Sequence, residues 1–578
     1  MKKTGAWLVR YALEQIGVRY TFGIPGVHNT EIYDELNNSK SITPILVTHE
    51  AGAAFMADAI SRTTDHIGTI VTVPAAGTTH AASGIGEAYL DGIPMLCISG
   101  GIRRDLEFGY QLHELDQQKL VKPITKANFV IEKHQDIIPT IYEAYNIANQ
   151  GEPGPVFVEV PVNIQLFTGD IDALPTYSKP EVKDNINAAA IRDAAQLLID
   201  SKQVGIFVGW GARHASDTIL KIAEHLQAPI ATTLQGLATV PSNHPLHTGM
   251  GYGPASVPAS ENAFKKVDTV LAIGTRFGEI ATGSFGIPAP EKLIHIDINP
   301  NVFDRNYKAT ICVESDAAIA ATMLLEAIQS LQPTAKSHPS EIASQIARDK
   351  EKYLNEWLSH DSKGRVNPAC FFTELREILN DDDFVLADDG NHTFLTAELM
   401  PIHKAGHFVS PTDFNCMGYC TPATIACKLA NPDKNVVGIV GDGAFVMTCM
   451  ELATAAANQI GAIIFVFNDG ELSQISQAQE KPYNRKTCSI LSSVKFDGVA
   501  HATGCKYIKL DNNEDVKTGL TEALEASQNG QPVIVDVFVD YSKPTRFTQG
   551  AVATNLKRFP LGMKTRIIGR AIKRKITG

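Results

Sequence analysis

Two short polar motifs in the last third of the chain could bind a metal ion. A Gly-Asp-Gly motif centred on Asp442 follows the apolar residues 436–440, and an Asn-Asp-Gly motif beginning at Asn468 follows the apolar residues 462–467. A carboxylate, an amide oxygen and a backbone carbonyl are hard oxygen ligands. They suit Mg²⁺, which completes its octahedron with phosphate oxygens and water. The two motifs therefore predict a site for Mg²⁺ and a phosphate-bearing ligand.

The elements around these motifs must bring them together. Residues 436–440 and 462–467 have the length and β-branched composition of buried strands, and residues 444–459 have helical spacing. A strand–helix–strand unit makes the two strands parallel neighbours, so both motifs lie at the carboxyl edge of one sheet, where such sheets bind ligands. Taken alone, a Gly-Asp-Gly is more often only a tight turn. The second motif on the next strand favours the binding site.

This pair of motifs resembles the thiamine diphosphate and Mg²⁺ motif of a known enzyme family. The resemblance covers essentially residues 1–545 and is closest to the acetolactate synthase-like enzymes, in a wider group with pyruvate oxidase, pyruvate decarboxylase and benzaldehyde lyase. It implies three metal ligands, which are the side chains of Asp442 and Asn468 and the carbonyl of Gly470. It also implies that Gly443 and Ala444 lie beside the cofactor.

Near the N-terminus, a His-Glu pair precedes an Ala-rich helical pattern over residues 51–62, at the end of a predicted strand. A lone Glu50 there is more often a charge at a helix N-terminus. The resemblance instead implies that Glu50 hydrogen-bonds N1′ of the aminopyrimidine and favours its imino tautomer. The 4′-nitrogen then removes the C2 proton, and the resulting ylide attacks a carbonyl, with the cofactor doing the difficult chemistry.

Two further segments of the first third bear on substrate. The loop over residues 74–80 reads Pro-Ala-Ala-Gly-Thr-Thr-His, where relatives have Gly-Pro-Gly beside the cofactor, so inference of substrate from relatives is weakened. His113 lies in a segment that lines the active site in relatives and is a candidate proton shuttle. A solvated loop histidine is the competing interpretation. Lys126 matches a lysine near the substrate channel of acetolactate synthases.

The resemblance assigns more cofactor contacts in the last third. Gly390, Asn391 and His392 match a loop that contacts the diphosphate. Met417 would be the apolar wedge that bends the cofactor and brings its 4′-nitrogen onto C2, although plain core packing would also explain it. The carbonyl of Asn415 would hold the 4′-amino group, and relatives usually have Gly there.

Gln474 and Ala478, which both follow Asn468 in the chain, bear on product release and on the choice of acceptor. Gln474 falls where decarboxylases of the wider group place a catalytic Glu, and Gln cannot donate a proton as an acid. Ala478 falls where acetolactate synthases carry a Trp that sets the preference among acceptors. We expect slow release of simple aldehydes, a wider and more polar acceptor pocket, and weak acetolactate synthesis from pyruvate.

Strand and helix patterns alternate along the whole chain, which predicts an α/β fold of three doubly wound parallel-sheet domains. The expected domains are a pyrimidine-binding domain over 1–170, a middle domain over 185–335, a diphosphate- and Mg²⁺-binding domain over 365–545, and a basic tail over 546–578. Polar stretches at 165–188 and 333–365 are predicted linkers.

The middle domain of relatives holds FAD, ADP or nothing. Here Gly209-Trp210-Gly211 is half of a dinucleotide fingerprint, with His214 where a third Gly would stand. Of two arginines that acetolactate synthases commonly carry, Arg276 is kept and the second is Ile280. FAD binding is therefore left open and slightly disfavoured.

Composition limits the class of protein. A net charge of −12 disfavours nucleic-acid binding. No apolar run reaches the roughly 18 residues that span a bilayer, and Arg10 and Glu14 interrupt any signal-peptide core. Nine cysteines without paired spacing favour reduced thiols in a cytoplasmic protein over a zinc site.

The tail has the opposite charge. Residues 551–578 contain eight Lys or Arg and no Asp or Glu, with apolar residues at helical spacing. Such a helix could lie on an anionic membrane surface, pack on the enzyme's own acidic surface, or close over the active site.

Together these features predict a thiamine diphosphate- and Mg²⁺-dependent decarboxylase and carboligase acting on a 2-oxo acid, which ligates the enamine to a second carbonyl. The alternatives are a flavin-dependent enzyme resembling pyruvate oxidase, and a lyase for 2-hydroxyacyl-CoA or acyloins. The resemblance implies a homodimer or homotetramer, because the glutamate and the metal motif come from different subunits.

Overall fold

Three six-stranded sheets follow one another along the chain in the computed structural model, which describes residues 1–181, 186–335 and 340–577. Neighbouring strands are parallel throughout each sheet, as the pairs at the three sheet centres show. Helices flank every sheet, which confirms the predicted α/β fold of three doubly wound domains. Each of the three predicted α/β domain ranges contains one six-stranded sheet, and the exact limits of those ranges stay predictions.

The first sheet has the strand order β3-β2-β4-β5-β7-β6, and β1 pairs with β8 in a small antiparallel ribbon. The elements are β1 (Lys2–Thr4), α1 (Gly5–Gln15), β2 (Tyr20–Gly23), α2 (Thr30–Asn37), β3 (Thr43–Leu46), α3 (Glu50–Thr63), β4 (Gly68–Thr72), α4 (Ala76–Asp91), β5 (Met95–Gly101), α5 (Gln117–Val121), β6 (Ala127–Val130), α6 (Ile137–Asn149), β7 (Pro155–Pro161), α7 (Val162–Leu166) and β8 (Thr168–Asp170).

The second sheet has the strand order β11-β10-β9-β12-β13-β14. The elements are α8 (Ala188–Asp200), β9 (Val204–Val208), α9 (Ser216–Leu226), β10 (Ile230–Thr232), β11 (His247–Met250), α10 (Pro258–Phe264), β12 (Thr269–Ile273), β13 (Lys292–Asp297), β14 (Ile311–Glu314) and α11 (Ala317–Leu331). The predicted linkers on either side include residues 182–185 and 336–339, which lie outside the described residues.

The third sheet has the strand order β16-β15-β17-β18-β20-β19. The elements are α12 (Ser340–Leu358), α13 (Pro368–Ile378), β15 (Phe384–Ala387), α14 (Asn391–Leu399), β16 (Phe408–Val409), α15 (Cys420–Ala430), β17 (Val436–Gly441), α16 (Asp442–Thr448), α17 (Leu452–Ala457), β18 (Ile463–Phe467), α18 (Ser473–Tyr483), α19 (Phe496–Thr503), β19 (Lys506–Leu510), α20 (Asn513–Gln528), β20 (Val533–Val537), α21 (Arg546–Arg558) and α22 (Leu561–Thr577). Short 3₁₀ helices occupy Lys122–Ile124, His134–Asp136, Trp210–Ala215, Pro300–Val302 and Cys449–Glu451.

The first and third sheets are joined through a shared core in which α3 packs on α15. Both helices are rich in alanine at the contact, so their backbones approach closely. At the end of this contact the hydroxyl of Tyr419 donates to Asp58, 2.5 Å away, and Asp58 also pairs with Arg62. The helix that begins at Glu50 is thereby fixed against the third sheet.

The sequence also led to expectations about membrane-spanning helices and about the cysteines. Among the described residues, no helix is long and apolar enough to cross a membrane. All nine cysteines are unpaired, as expected for reduced thiols.

Candidate active site

The carboxyl edge of the third sheet brings the two polar motifs together. Gly441 of β17 and Phe467 of β18 are partners in the sheet, so Asp442 and Asn468 leave the sheet side by side. The carboxylate of Asp442 accepts hydrogen bonds from the backbone N–H groups of Gly443 (2.8 Å) and Gly470 (2.7 Å). Asp442 therefore organises the loop in which the predicted ligands lie.

The oxygens of the second motif are available for a cation. The amide nitrogen of Asn468 donates to Asp536 at 2.9 Å, and its amide oxygen accepts no hydrogen bond from the described residues. Gly470 has φ +78 and open space around it. Its carbonyl accepts from the N–H of Leu491 at 2.9 Å and keeps a second lone pair. Burial raises the pKa of Asp442 to about 6, and a bound cation would favour the charged carboxylate.

His392 has a buried polar atom that lacks a partner. Its ring lies between two glycines, since a Cβ on Gly390 would approach the ring to 2.5 Å and one on Gly441 to 3.0 Å. Burial lowers the pKa of His392 to about 3, so the imidazole is neutral. Its Nε2 has no hydrogen-bond partner among the described residues. A buried nitrogen without a partner indicates a ligand at this position.

The segment with Asn415 and Met417 is fixed by the first sheet's helices. Glu87 accepts hydrogen bonds from the N–H groups of Thr412 (3.2 Å) and Cys416 (3.0 Å). Asn415 has φ +66, a left-handed conformation that favours glycine and that asparagine tolerates. Asn415 can therefore occupy a backbone conformation that glycine also favours. Met417 is half-buried against the core shared by the two sheets.

At the carboxyl edge of the first sheet, Glu50 begins α3 and is 6% exposed. Its Oε2 lies 2.9 Å from Nδ1 of His80. The preceding backbone N–H groups of Thr48 and His49 donate to Glu451 at 3.0–3.2 Å, which ties this turn to the third sheet. Sequence reasoning did not identify His80, although it had singled out its loop.

His113 and Lys126, the other two first-domain residues singled out from the sequence, contact residues that the sequence did not indicate. Nδ1 of His113 lies 3.2 Å from Nδ1 of His28, a buried residue that sequence reasoning missed in the loop after β2. Burial and the neighbouring His113 lower the pKa of His28. Lys126 donates to the carbonyls of Ile147 (2.5 Å) and Gln150 (2.6 Å), so its ammonium group caps α6.

Helix α18 follows Gly470 and carries the residues predicted to face substrate. The amide oxygen of Gln474 is buried and has no partner among the described residues, and Ala478 is exposed. Gln477, which sequence reasoning did not single out, accepts from Asn391 at 3.3 Å and donates to the carbonyl of Tyr541 at 3.0 Å. It links α18 to the loop at His392.

Three parallel sheets with a carboxylate–amide motif at one edge and a buried glutamate at another define a thiamine diphosphate-type enzyme. Family models of thiamine pyrophosphate enzymes match three stretches: the N-terminal TPP binding domain over residues 3–120, the central domain over 191–324, and the C-terminal TPP binding domain over 388–537. The chain belongs to the thiamine pyrophosphate enzyme family.

Curated relatives place the chain beside acetolactate synthases. It is 31% identical to a probable acetolactate synthase large subunit of Methanocaldococcus jannaschii, over 93% of this chain and 92% of the relative. It is 30% identical to the acetolactate synthase large subunit of Haemophilus influenzae, over 96% and 98%. It is 27% identical to the isozyme 1 large subunit of Escherichia coli, over 93% and 94%. The chain is an acetolactate synthase-like thiamine pyrophosphate enzyme.

Proposed function

We propose that this enzyme uses thiamine diphosphate and Mg²⁺ to decarboxylate a 2-oxo acid and to join the remaining carbons to a second carbonyl compound. The observation that carries the proposal is the pair of motifs at one sheet edge. The carboxylate of Asp442 accepts a hydrogen bond from the N–H of Gly470, and Asn468 directly follows the strand that neighbours β17. When bound, thiamine diphosphate supplies the electron sink that allows CO₂ to leave and a new carbon–carbon bond to form.

The residues at the third sheet fit the diphosphate and its metal ion. Asp442, Asn468 and the carbonyl of Gly470 would hold Mg²⁺, because they offer three hard oxygens and leave other positions for phosphate oxygens and water. The loops after β15 and β17 would lie along the diphosphate, where the buried Nε2 of His392 lacks a partner among the described residues. The residues of these loops are Gly390, Asn391, His392, Gly443 and Ala444.

The chain's own groups then hold and move protons. Glu50 would hold a proton at N1′ of the aminopyrimidine, and the Asn415 carbonyl would accept from the 4′-amino group. The half-buried side chain of Met417 would support the bend between the two rings. His113, with its partner His28, is the candidate proton shuttle at the first sheet's edge. The neutral amide of Gln474 would hydrogen-bond to polar atoms of the substrate without donating a proton as an acid.

We place the two halves of the site in different subunits of a homodimer or homotetramer. The loop between β5 and α5 exposes five large apolar side chains, among them Phe108 (75% exposed), Tyr110 (fully exposed) and Leu112 (64% exposed). The helical segment behind Asp442 similarly exposes Met447 and Met450. Apolar surface of this extent suits a contact with a second copy.

Contacts within and around the middle domain favour an enzyme that does not bind FAD. The guanidinium of Arg276, the one arginine kept from the family segment, pairs with Glu152 at 3.2 Å and Asp413 at 2.6 Å. The turn after β9 is also closely covered, because a Cβ on Gly236 would lie 2.9 Å from the backbone of Gly209. A flavin diphosphate at this turn would have to displace these contacts.

Cofactor analysis and a substrate panel test the proposal together. We expect mass spectrometry of the extracted ligand to find thiamine diphosphate, and a panel of 2-oxo acids with and without aldehyde acceptors to release CO₂ and a ligated product. Stoichiometric flavin with peroxide formation would favour the oxidase alternative. Cleavage of 2-hydroxyacyl-CoA or acyloins without 2-oxo acid turnover would favour the lyase. Protein without affinity for thiamine diphosphate would refute the proposal.

A further inference from the structure

The loop that departs from the family pattern supplies a partner for Glu50. Nδ1 of His80 lies 2.9 Å from Glu50 Oε2, and within the described parts of the chain this is the side-chain hydrogen bond of the Glu50 carboxylate. Glu50 is 6% exposed, whereas the side chain of His80 is about half exposed, at 49%. The histidine therefore reaches from the accessible side of the site toward the buried carboxylate.

The backbone of this loop is held in an unusual conformation. Ala75, just before α4, has φ 56 and ψ −92, which a residue with a Cβ rarely adopts. Thr79 fixes the turn by donating to the Ala75 carbonyl at 2.6 Å. Thr78 bonds Gln117 at 2.9 Å behind it. These contacts place His80 on the first turns of α4, and strain of this kind is found where the surrounding structure enforces it.

A second histidine restricts the His80 ring. The rings of His49 and His80 stack with centroids 4.6 Å apart and planes at 25°. His49 itself is fixed because its Nδ1 accepts from the N–H of Ala51 at 3.1 Å. The ligand-capable atoms of His49, Glu50 and His80 all lie within 4.8 Å of one another, so the three side chains form one compact cluster.

Only one oxygen of Glu50 is engaged by this cluster. His80 contacts Oε2, whereas a Cβ on Gly77 would lie 3.2 Å from Oε1, so the absence of a side chain at Gly77 leaves space beside Oε1. A donor on one oxygen fixes the torsion of the carboxylate and leaves the other oxygen for a second partner. The geometry assigns His80 as a positioning residue: its Nδ1–H holds Oε2 of Glu50 so that Oε1 faces N1′ of the aminopyrimidine. This assignment rests on the proposed role of Glu50.

Two substitutions at His80 separate hydrogen bonding from bulk. His80→Leu removes the donor, whereas His80→Asn places an amide N–H near the position of Nδ1. The readout is exchange of the C2 hydrogen of bound thiamine diphosphate, followed by proton NMR after acid quench, together with cofactor affinity by calorimetry. We expect His80→Leu to slow the exchange about 10–100-fold, in line with a lost hydrogen bond to a charged group. His80→Asn should stay within about threefold of wild type, because the donor is retained.

A matched control is available in another histidine–carboxylate pair. Nδ1 of His403 lies 2.7 Å from Oδ1 of Asp381, and neither residue is assigned to the cofactor or to substrate, so His403→Leu should leave the exchange rate unchanged. Equal rates for His80→Leu and His80→Asn, whether both normal or both slow, would overturn the hydrogen-bond role. Glu50→Gln in the same assay separates the two proposals. If it exchanges normally, the role of Glu50 fails as well; if it is slow while His80→Leu is normal, only the assignment of His80 fails.

Discussion

Asp442 acts on the loop as well as on the ion that it is proposed to bind. Its carboxylate holds the amides of Gly443 and Gly470, so Asp442→Ala removes a metal ligand and two loop contacts together. We expect the variant to lose measurable binding of both Mg²⁺ and thiamine diphosphate in calorimetry, since the diphosphate is held through the ion. It should also lose the rise in melting temperature that these ligands give the wild type. Asp433→Ala, at an exposed site, is the control, and stoichiometric cofactor in Asp442→Ala would contradict the assignment.

We expect Gln474 to influence the balance between ligation and simple release in the proposed reaction. Its amide oxygen is buried without a partner, and a carboxyl group in the same place would be kept protonated by burial. Gln474→Glu therefore introduces an acid that can donate a proton to the reacting carbon. We expect the ratio of free aldehyde to ligated product to rise about tenfold or more, within the range of general acid contributions. The ratio is read by chromatography, with the exposed Gln528→Glu as control. An unchanged ratio would remove Gln474 from the reacting centre.

Ala75 tests whether the turn at His80 is strained. A non-glycine residue at this φ and ψ destabilises the folded protein by about 1–3 kcal/mol. Replacing Ala75 by glycine removes this strain, but part of the stabilisation is lost because glycine has more conformational freedom in the unfolded chain. We expect Ala75→Gly to raise stability by about 1 kcal/mol, seen as a higher Tm at a fixed scan rate. Ala189→Gly, on the exposed side of α8, should instead lower it. A lower Tm for Ala75→Gly would mean that the turn is not strained.

At the scale of single residues, sequence reasoning proposed site residues that are recognisable from their own motif, and it did not single out residues that are defined by a contact. Asp442, Asn468 and Glu50 each follow a strand, which the sequence shows directly. His80 and His28 were missed because their partners, Glu50 and His113, come from other loops of the first domain. Asn415 departs from the family pattern, and its φ of +66 is a conformation that glycine favours and asparagine can adopt.

Among the elements, the strands were easier to predict than the breaks in helices. The apolar run at residues 462–467 contains β18, whose five residues are all buried and which is an inner strand of the third sheet. The single helix expected over residues 444–459 is instead interrupted by the 3₁₀ turn Cys449–Glu451. That turn presents Glu451 to the amides of Thr48 and His49, some 400 residues earlier in the chain. A contact between such distant segments leaves no local pattern.

The C-terminal helix α22 is held on α18, the helix that carries Gln474. The guanidinium of Arg570 lies 4.1 Å from the ring centroid of Tyr483, and Arg574 donates to the Tyr483 carbonyl at 2.9 Å. Leu561 and Ile568 stay exposed on the other side. Of the three sequence-level expectations for the tail, these contacts favour packing on the enzyme itself, and membrane contact stays a prediction.

Truncation after Pro560 should therefore loosen α18. We expect faster hydrogen exchange over residues 473–483 and lower activity, and no sedimentation of the wild type with anionic vesicles at about 0.15 M salt, where exposed charges are screened. Arg570→Ala should reproduce part of the loosening, and Arg566→Ala, an exposed arginine one turn earlier in the same helix, should not. Vesicle binding that disappears on truncation while activity is retained would instead favour the membrane interpretation.

At the scale of the whole molecule, the proposed assembly makes each active site depend on two chains. Glu50 lies at the edge of the first sheet and Asp442 at the edge of the third, and the apolar loop around Tyr110 is left exposed in a single chain. Glu50→Gln and Asp442→Ala should each be nearly inactive alone. In a mixed dimer, one site combines the intact Glu50 of one subunit with the intact Asp442 of the other.

Mixing the Glu50→Gln and Asp442→Ala variants tests directly whether the two residues of one active site come from different subunits. After random exchange of subunits, half of the dimers are mixed and one of their two sites is intact, so about a quarter of wild-type activity should return. Native mass spectrometry of the same sample confirms that mixed dimers have formed. If they form and no activity returns, Glu50 and Asp442 serve the same site from one chain. The contacts between the first and third sheets, including the bonds from Thr48 and His49 to Glu451, would then be part of the catalytic arrangement as well as of the fold.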